Sequence, residues 1–293
     1  MKTSDDLKKL NPEKEFFIGI DSDGCVFDSM EPKHKECFCP AFINNYNLQS
    51  VSKYARDVWD FVNLYSSFRG CNRFHAIITA LKFLREHPVV IKRNVKIMEV
   101  PALMDWVKRE TKLGNPALKE EIEKTNNLEL KIAYQWSLDV NEAVKKIIRD
   151  IPPFPLFRES LAKMNSKADV IVVSQTPAEA LEREWAELGI DKQIRFIAGQ
   201  EIGTKAEHLE FAAKGKYPSN KILMIGDAIG DLKAAAAVNV LFFPIIPGKE
   251  DQSWKLFHDE ALDRFFNMKY EGEFQDNLLK EFNKSLPNDP PWQ

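Results

Sequence analysis

Five short apolar runs constrain this chain more than any other feature. They lie at Phe16–Ile20, Asp169–Val173, Ile194–Ala198, Lys221–Ile225 and Val240–Phe243. Each is rich in Val, Ile or Phe and mostly lacks polar alternation, which predicts strands covered on both faces, as in parallel sheets. From Ile151 onward, helical patterns separate the runs, at Leu156–Met164, Ala178–Leu188, Lys205–Ala213 and Gly230–Val238. Strand–helix alternation of this kind predicts an α/β fold, a parallel sheet with helices on both faces.

The first strand stands apart from its partners. From about Met30 to Asp150 there is no convincing strand, only helical patterning. One apolar face is Phe74, Ile77, Ile78, Leu81 and Leu84; another is Leu130, Ala133, Trp136, Val140, Val144 and Ile147. Shorter helices are expected at Pro101–Lys112 and Pro116–Lys124, each opening on a proline where one is tolerated. The expected division is therefore an α/β core formed by residues 1–29 and 151–293, with an all-helical domain over 30–150. An excursion leaving the end of the first strand suggests a lid over that end. Residues 1–14 read as a flexible lead. Trp254–Phe266 reads as a helix whose Trp254, Phe257, Phe265 and Phe266 pack on the core or form an oligomer interface. The last residues, rich in proline, read as irregular.

Composition narrows the partners. The 293 residues carry a net charge of −3, so no basic field recruits nucleic acid or anionic lipid. No apolar run approaches the length of a membrane span, and residues 1–15 are polar, without the apolar stretch of a signal peptide. The four cysteines, Cys25, Cys37, Cys39 and Cys71, lack metal-ligand spacing. Their clustering fits free thiols in a reducing cytoplasm. The expectation is a cytoplasmic protein with no nucleic-acid or membrane partner, its oligomeric state left open.

Chemistry concentrates where the strands end. The first runs into Asp21-Ser22-Asp23-Gly24, and alternation lets Asp21 and Asp23 project the same way. The second ends at Ser174-Gln175-Thr176-Pro177, where Thr176 fits helix capping and Ser174 fits it less well. Gly203-Thr204-Lys205 opens a helix, and the fourth run ends at Gly226-Asp227, with Asp231 four residues on. In open parallel sheets ligands bind at this end. Clustered carboxylates repel one another unless a cation sits among them, and oxygen-only ligation favours a hard ion such as Mg2+. With a lysine facing an anionic substrate, the set suits phosphoryl transfer.

These motifs, in this order, resemble the haloacid dehalogenase superfamily of phosphohydrolases, over about Phe16–Asp28 and Ile151–Gly248. The resemblance implies a Rossmann-like sheet with the first strand central and a helical cap inserted after it. It implies a Mg2+-dependent hydrolysis of a small phosphorylated metabolite, a phosphate monoester, through an aspartyl-phosphate. Asp21 would be the nucleophile and Asp23 the general acid and base. Ser174 would bind phosphoryl oxygens, and Lys205 would neutralise them and hold Asp21. Mg2+ would be held by Asp21, the Asp23 backbone carbonyl and Asp227, with Asp231 a ligand or an outer-sphere partner. Family dehalogenases lack the second acid of the first motif, so Asp23 points to a C–O–P substrate. Family mutases keep both acids, so a phosphosugar mutase or phosphotransferase is the alternative; a non-catalytic binding protein on this scaffold is a third. Gly24-Cys25 departs mildly from the Gly-Thr of many relatives.

The core would see only phosphate, so substrate choice falls to the cap and the loop after Asp28. Candidates on that loop are Glu31, Lys33 and His34. Arg69 and Arg73, beside Gly70, are arginine forks suited to a second anionic group or sugar hydroxyls, against a plain reading as solvated surface charge. Gln175, beside Ser174, completes the substrate-binding candidates. Trp59, Trp106 and Trp136 sit in apolar helical patterns and read as core.

Overall fold

The computed structural model describes residues 3–292, which form two compact units. One runs through Ser29 and resumes over Asp150–Ser285; the other is Met30–Arg149 with the residues that follow Ser285.

The first unit is built on five parallel strands: β1 Phe16–Ile20, β2 Ala168–Val173, β3 Phe196–Ala198, β4 Ile222–Gly226 and β5 Leu241–Pro244. Their order is β3-β2-β1-β4-β5, so β1 is central. Ile18, for example, pairs with Val170 on one side and Leu223 on the other. Every residue of the five strands is buried, which explains their unbroken apolar character. The helices that follow them are Ala178–Glu187, Lys205–Ala212 and Ile229–Ala237, with Phe157–Asn165 preceding β2. Gly19 matters to this packing: a Cβ there would stand 2.9 Å from the Leu209 side chain, on the helix that begins with Lys205.

The aromatic residues near the C-terminus are core. Trp254, Phe257 and Phe265 are fully buried. Phe16 meets the rings of Phe265 and Phe266 at 5.1 and 5.0 Å, and Phe157 meets Trp254 at 5.0 Å. The buried Trp254 indole donates to the Cys25 carbonyl at 2.8 Å, satisfying its one polar atom. The expected single helix over this stretch is Glu250–Leu256, a π-helical turn Phe257–Ala261, and Leu262–Phe266. A further helix, Glu273–Ser285, follows. Gln275 on it accepts the Phe242 backbone N–H at 3.0 Å, covering a donor of the edge strand β5.

The lead is not the flexible segment the sequence suggests. Thr3 caps a short helix, Ser4–Lys8, whose Leu7 is buried. Lys216 Nζ donates to the carbonyls of Lys8 and Leu10, at 2.7 and 2.9 Å. The backbone N–H groups of Glu13 and Lys14 donate to Asp169 Oδ2 at 2.8 and 3.0 Å. These partners lie some 150–200 residues away, so no local pattern reveals them.

The second unit contains helices and no strand among the described residues. They include Met30–Pro32, a π-helical turn Lys33–Phe38, Cys39–Asn45, Ser52–Leu64, Arg73–Glu86, Pro101–Arg109, Asn115–Thr125 and Leu128–Ile147. Trp59, Trp106 and Trp136 are buried in its core together with Phe42 and Phe74. The chain after Ser285 belongs here, whereas the sequence reading kept it with the sheet. The cause is aromatic and polar contact: Trp292 stacks on His87 at 5.3 Å and meets Phe61 at 5.5 Å, and Ser67 N–H donates to the Pro287 carbonyl at 3.1 Å. The four cysteines are free. No helix among the described residues is long and apolar enough to cross a membrane.

Candidate active site

The central strand sets the site. Asp21 continues the ladder beyond β1, its N–H donating to the Ile225 carbonyl at 2.9 Å. The chain then turns through Gly24, whose φ of 73° lies in the left-handed region that favours glycine. Asp227 directly follows β4. Asp231 sits in the first turn of the next helix and accepts the Ala228 N–H at 3.1 Å. Its approach depends on Gly226, where a Cβ would come within 2.5 Å of the Asp231 carboxyl group. Lys205 is the first residue of its helix, positioned by a capping box. In it Thr204 Oγ1 accepts the Glu207 N–H at 3.3 Å, and Glu207 accepts the Thr204 N–H at 2.7 Å.

These elements bring Asp21, Asp227 and Asp231 together, each buried, with one carboxylate oxygen apiece lying within 4.8 Å of the others. Lys205 Nζ pairs with Asp21 Oδ2 at 2.7 Å and also bonds Asp231 Oδ1. Burial pushes the Asp21 carboxyl up to about 6; Lys205 works against that shift and Asp231 adds to it. Burial likewise raises Asp231, with Lys205 opposing and Asp227 adding. Burial disfavours the Lys205 charge, yet Asp21 and Asp231 outweigh it and hold the ammonium well above its ordinary range. Lys205 thus bonds two of the three clustered carboxylates. An oxygen-only donor set of this kind fits a hard divalent cation.

Asp23 has different company. Its Oδ2 accepts the Thr176 hydroxyl at 3.0 Å, and its Oδ1 accepts the hydroxyl of Ser29, which is itself buried. Thr176 is thus not the helix cap that the sequence suggests. Pro177 occupies that position, without a side-chain cap, and Thr176 turns its hydroxyl onto the acid. Sequence reasoning missed Ser29 and Thr176 as partners of Asp23; the hydroxyl-rich Ser174–Thr176 stretch was a signal for the second, and nothing local marked the first. Ser174 is buried where β2 ends, and its Oγ accepts the Thr176 N–H at 3.2 Å. Gln175 is exposed and donates to the Gly203 carbonyl at 2.9 Å.

Cys25 is a poor competitor as a nucleophile. Burial, followed by Asp227, Asp21 and Asp231, pushes its thiol well above the ordinary range, so the reactive thiolate is suppressed.

The remaining candidates lie in the helical unit. Lys33 and His34 stand on the π-helical turn Lys33–Phe38, not on a loop. His34 Nδ1 accepts the Trp59 indole N–H at 3.2 Å, and its ring lies 4.7 Å from that of Phe38. Arg69 is buried, its Nη1 donating to the Leu64 carbonyl at 3.0 Å. Arg73 donates to Ser137 Oγ at 2.9 Å and Asn141 Oδ1 at 2.8 Å, beneath the Phe38 ring at 5.2 Å. Neither arginine is the solvated surface charge of the plainer reading.

A family model, haloacid dehalogenase-like hydrolase, matches residues 18–239. The chain belongs to this family. The five-stranded parallel sheet with central β1 is the Rossmann-like core the resemblance implied. No curated protein sequence matches significantly. Among solved structures, this hydrolase is similar to a predicted phosphatase from Clostridium acetobutylicum. That match has 14% identity and a TM-score of 0.46, over 86% of this chain and 100% of the other. It is also similar to a predicted phosphoglycolate phosphatase from Haemophilus somnus, with 14% identity and a TM-score of 0.46, over 80% and 86%. A third is the HAD-hydrolase YfnB from Bacillus subtilis, described as bound to magnesium, with 11% identity and a TM-score of 0.40, over 78% and 86%.

Proposed function

We propose that this hydrolase is a Mg2+-dependent phosphatase that cleaves a small phosphate monoester through an aspartyl-phosphate on Asp21. The observation that carries the reading is the buried trio of Asp21, Asp227 and Asp231, with Lys205 bonded to two of them. Their carboxylates, with the Asp23 backbone carbonyl, would hold Mg2+, which when bound neutralises charge on the phosphoryl group. Lys205 holds one Asp21 oxygen and keeps the carboxylate ionised for attack.

In the first step an Asp21 oxygen bonds to phosphorus, and the ester oxygen leaves with the proton of Asp23. In the second, Asp23 takes a proton from water; the water oxygen bonds to phosphorus, and the Asp21 carboxylate departs. Ser174, at the end of β2, would hydrogen-bond the phosphoryl oxygens. Lys33, His34, Arg69, Arg73 and Gln175 stay candidates for selecting the rest of the substrate.

The test is phosphate release from a panel of monoesters, with Mg2+ or with a chelator, for wild type and Asp21→Asn. The reading expects metal-dependent release that Asp21→Asn abolishes. Equal release from both proteins would overturn the covalent mechanism, and transfer to a sugar hydroxyl faster than to water would favour a mutase.

A further inference from the structure

We infer that Thr176 and Ser29 are positioning residues that aim the Asp23 carboxyl group. The inference rests on the reading of Asp23 as the acid and base.

The two acids of the first motif are held by different kinds of hydrogen-bonding group. Asp21 is gripped by Lys205 and by the Ser22 N–H, which donates to its Oδ1 at 2.8 Å. Both partners can only donate, so they suit a carboxylate that stays ionised. Asp23 is held on both oxygens by hydroxyls, Thr176 on Oδ2 at 3.0 Å and Ser29 on Oδ1. A hydroxyl donates to a carboxylate and accepts from a carboxylic acid, so the same two contacts hold the group in either form.

The clamp is also well anchored. Ser29 is 2% exposed, and its Oγ lies 3.5 Å from the Phe27 carbonyl. Thr176 is tied down by its N–H, which donates to Ser174 Oγ at 3.2 Å, and by its carbonyl, which accepts the Gln200 N–H at 3.2 Å. The stretch after β2 thus has two roles: Ser174 would bind the phosphoryl group, and Thr176 holds Asp23. Asp23 is partly exposed, and a hydroxyl on each oxygen narrows the rotamers it can sample.

An acid that protonates the leaving oxygen matters most when that oxygen is a poor leaving group, which gives a readout that loss of stability would not produce. Thr176→Val keeps the shape and removes the hydroxyl. We expect kcat for an alkyl phosphate to fall about tenfold or more, while kcat for p-nitrophenyl phosphate stays within about threefold. Thr176→Ser should restore the alkyl rate, and Thr176→Val should add nothing in an Asp23→Asn background. Equal losses on both substrates, or no rescue by serine, would overturn the assignment. A readout independent of turnover is the crystal structure of Thr176→Val/Ser29→Ala. A displaced or multiply oriented Asp23 side chain supports the clamp; an unmoved one overturns it. Absence of turnover by wild type on any monoester would instead strike the phosphatase reading, and the structural readout would still decide whether the hydroxyls hold Asp23.

Discussion

Lys205 Nζ lies 2.7 Å from Asp21 Oδ2 and bonds Asp231 with the same ammonium, so one charge restrains two buried acids, one just beyond β1 and one in the helix after β4. Replacing it with methionine keeps the bulk and removes that restraint. The Lys205→Met variant should lose about a hundredfold or more in kcat, the scale of removing one preorganised charge stabiliser. Steady-state kinetics with saturating Mg2+ reads the loss; a variant within about threefold of wild type would mean that Lys205 only supports the fold.

Metal binding should follow the ionisation of Asp21. Its carboxyl is pushed up to about 6, chiefly by burial, so it is largely protonated below that pH and ionised above it. A cation competes with that proton. Mg2+ should therefore raise the thermal midpoint clearly at pH 7.5 and hardly at pH 5, as scanning calorimetry would show. In Asp227→Asn the shift at pH 7.5 should shrink toward zero.

Gly226→Ala tests the close approach that admits Asp231. The added Cβ would fall 2.5 Å from its carboxyl group, so the acid must move. Calorimetric titration should show Mg2+ affinity reduced by about tenfold or more, the scale seen when the support of a ligand is disturbed. Circular dichroism should remain that of the folded protein.

Stability and chemistry should separate at Asp169, near the start of β2 and thus at the other end of the strand from Ser174. Besides the Glu13 and Lys14 N–H groups it accepts the Tyr217 hydroxyl at 2.5 Å and pairs with Arg195 at 3.0 Å. Asp169→Ala takes the acceptor from the Glu13 and Lys14 N–H groups and the Tyr217 hydroxyl, and breaks the ion pair with Arg195, so it should cost about 3 kcal/mol in chemical denaturation. Its kcat/KM should stay within about twofold of wild type.

His208 supplies a pH signature of its own. It is fully buried, and burial, then Lys205, push its pKa down from 6.5 to about 4. Between those values the unfolded chain binds a proton that the folded protein refuses, so this group makes stability fall as pH drops from about 6.5 to 4. The difference between wild type and His208→Leu should change by up to about 3 kcal/mol across that window, in favour of leucine at the acid end. Comparing the two proteins cancels the opposite trend from Asp21. Parallel pH profiles would contradict the assignment.

The strands and the acids at their ends were legible because each is local: an apolar run, then a carboxylate or hydroxyl at the position where a parallel sheet presents its ligands. What stayed hidden is long-range. The Thr176–Asp23 bond joins residues 153 apart, and a threonine before a proline looks like a cap from its neighbours alone. The docking of the lead on Asp169 and Lys216, and the packing of Trp292 on His87, have the same character. The burial of Arg69 stayed hidden for a related reason: its Nη1 donates to the Leu64 carbonyl, and backbone acceptors leave no mark in side-chain patterning.

The central claim is that Asp21 carries the phosphoryl group. The direct measurement is to quench the protein during turnover of a monoester with Mg2+, reduce it with borohydride, and map the product by mass spectrometry. An acyl phosphate on Asp21 predicts homoserine at position 21, absent from Asp21→Asn. Reduction at another residue, or none during active turnover, would contradict the account.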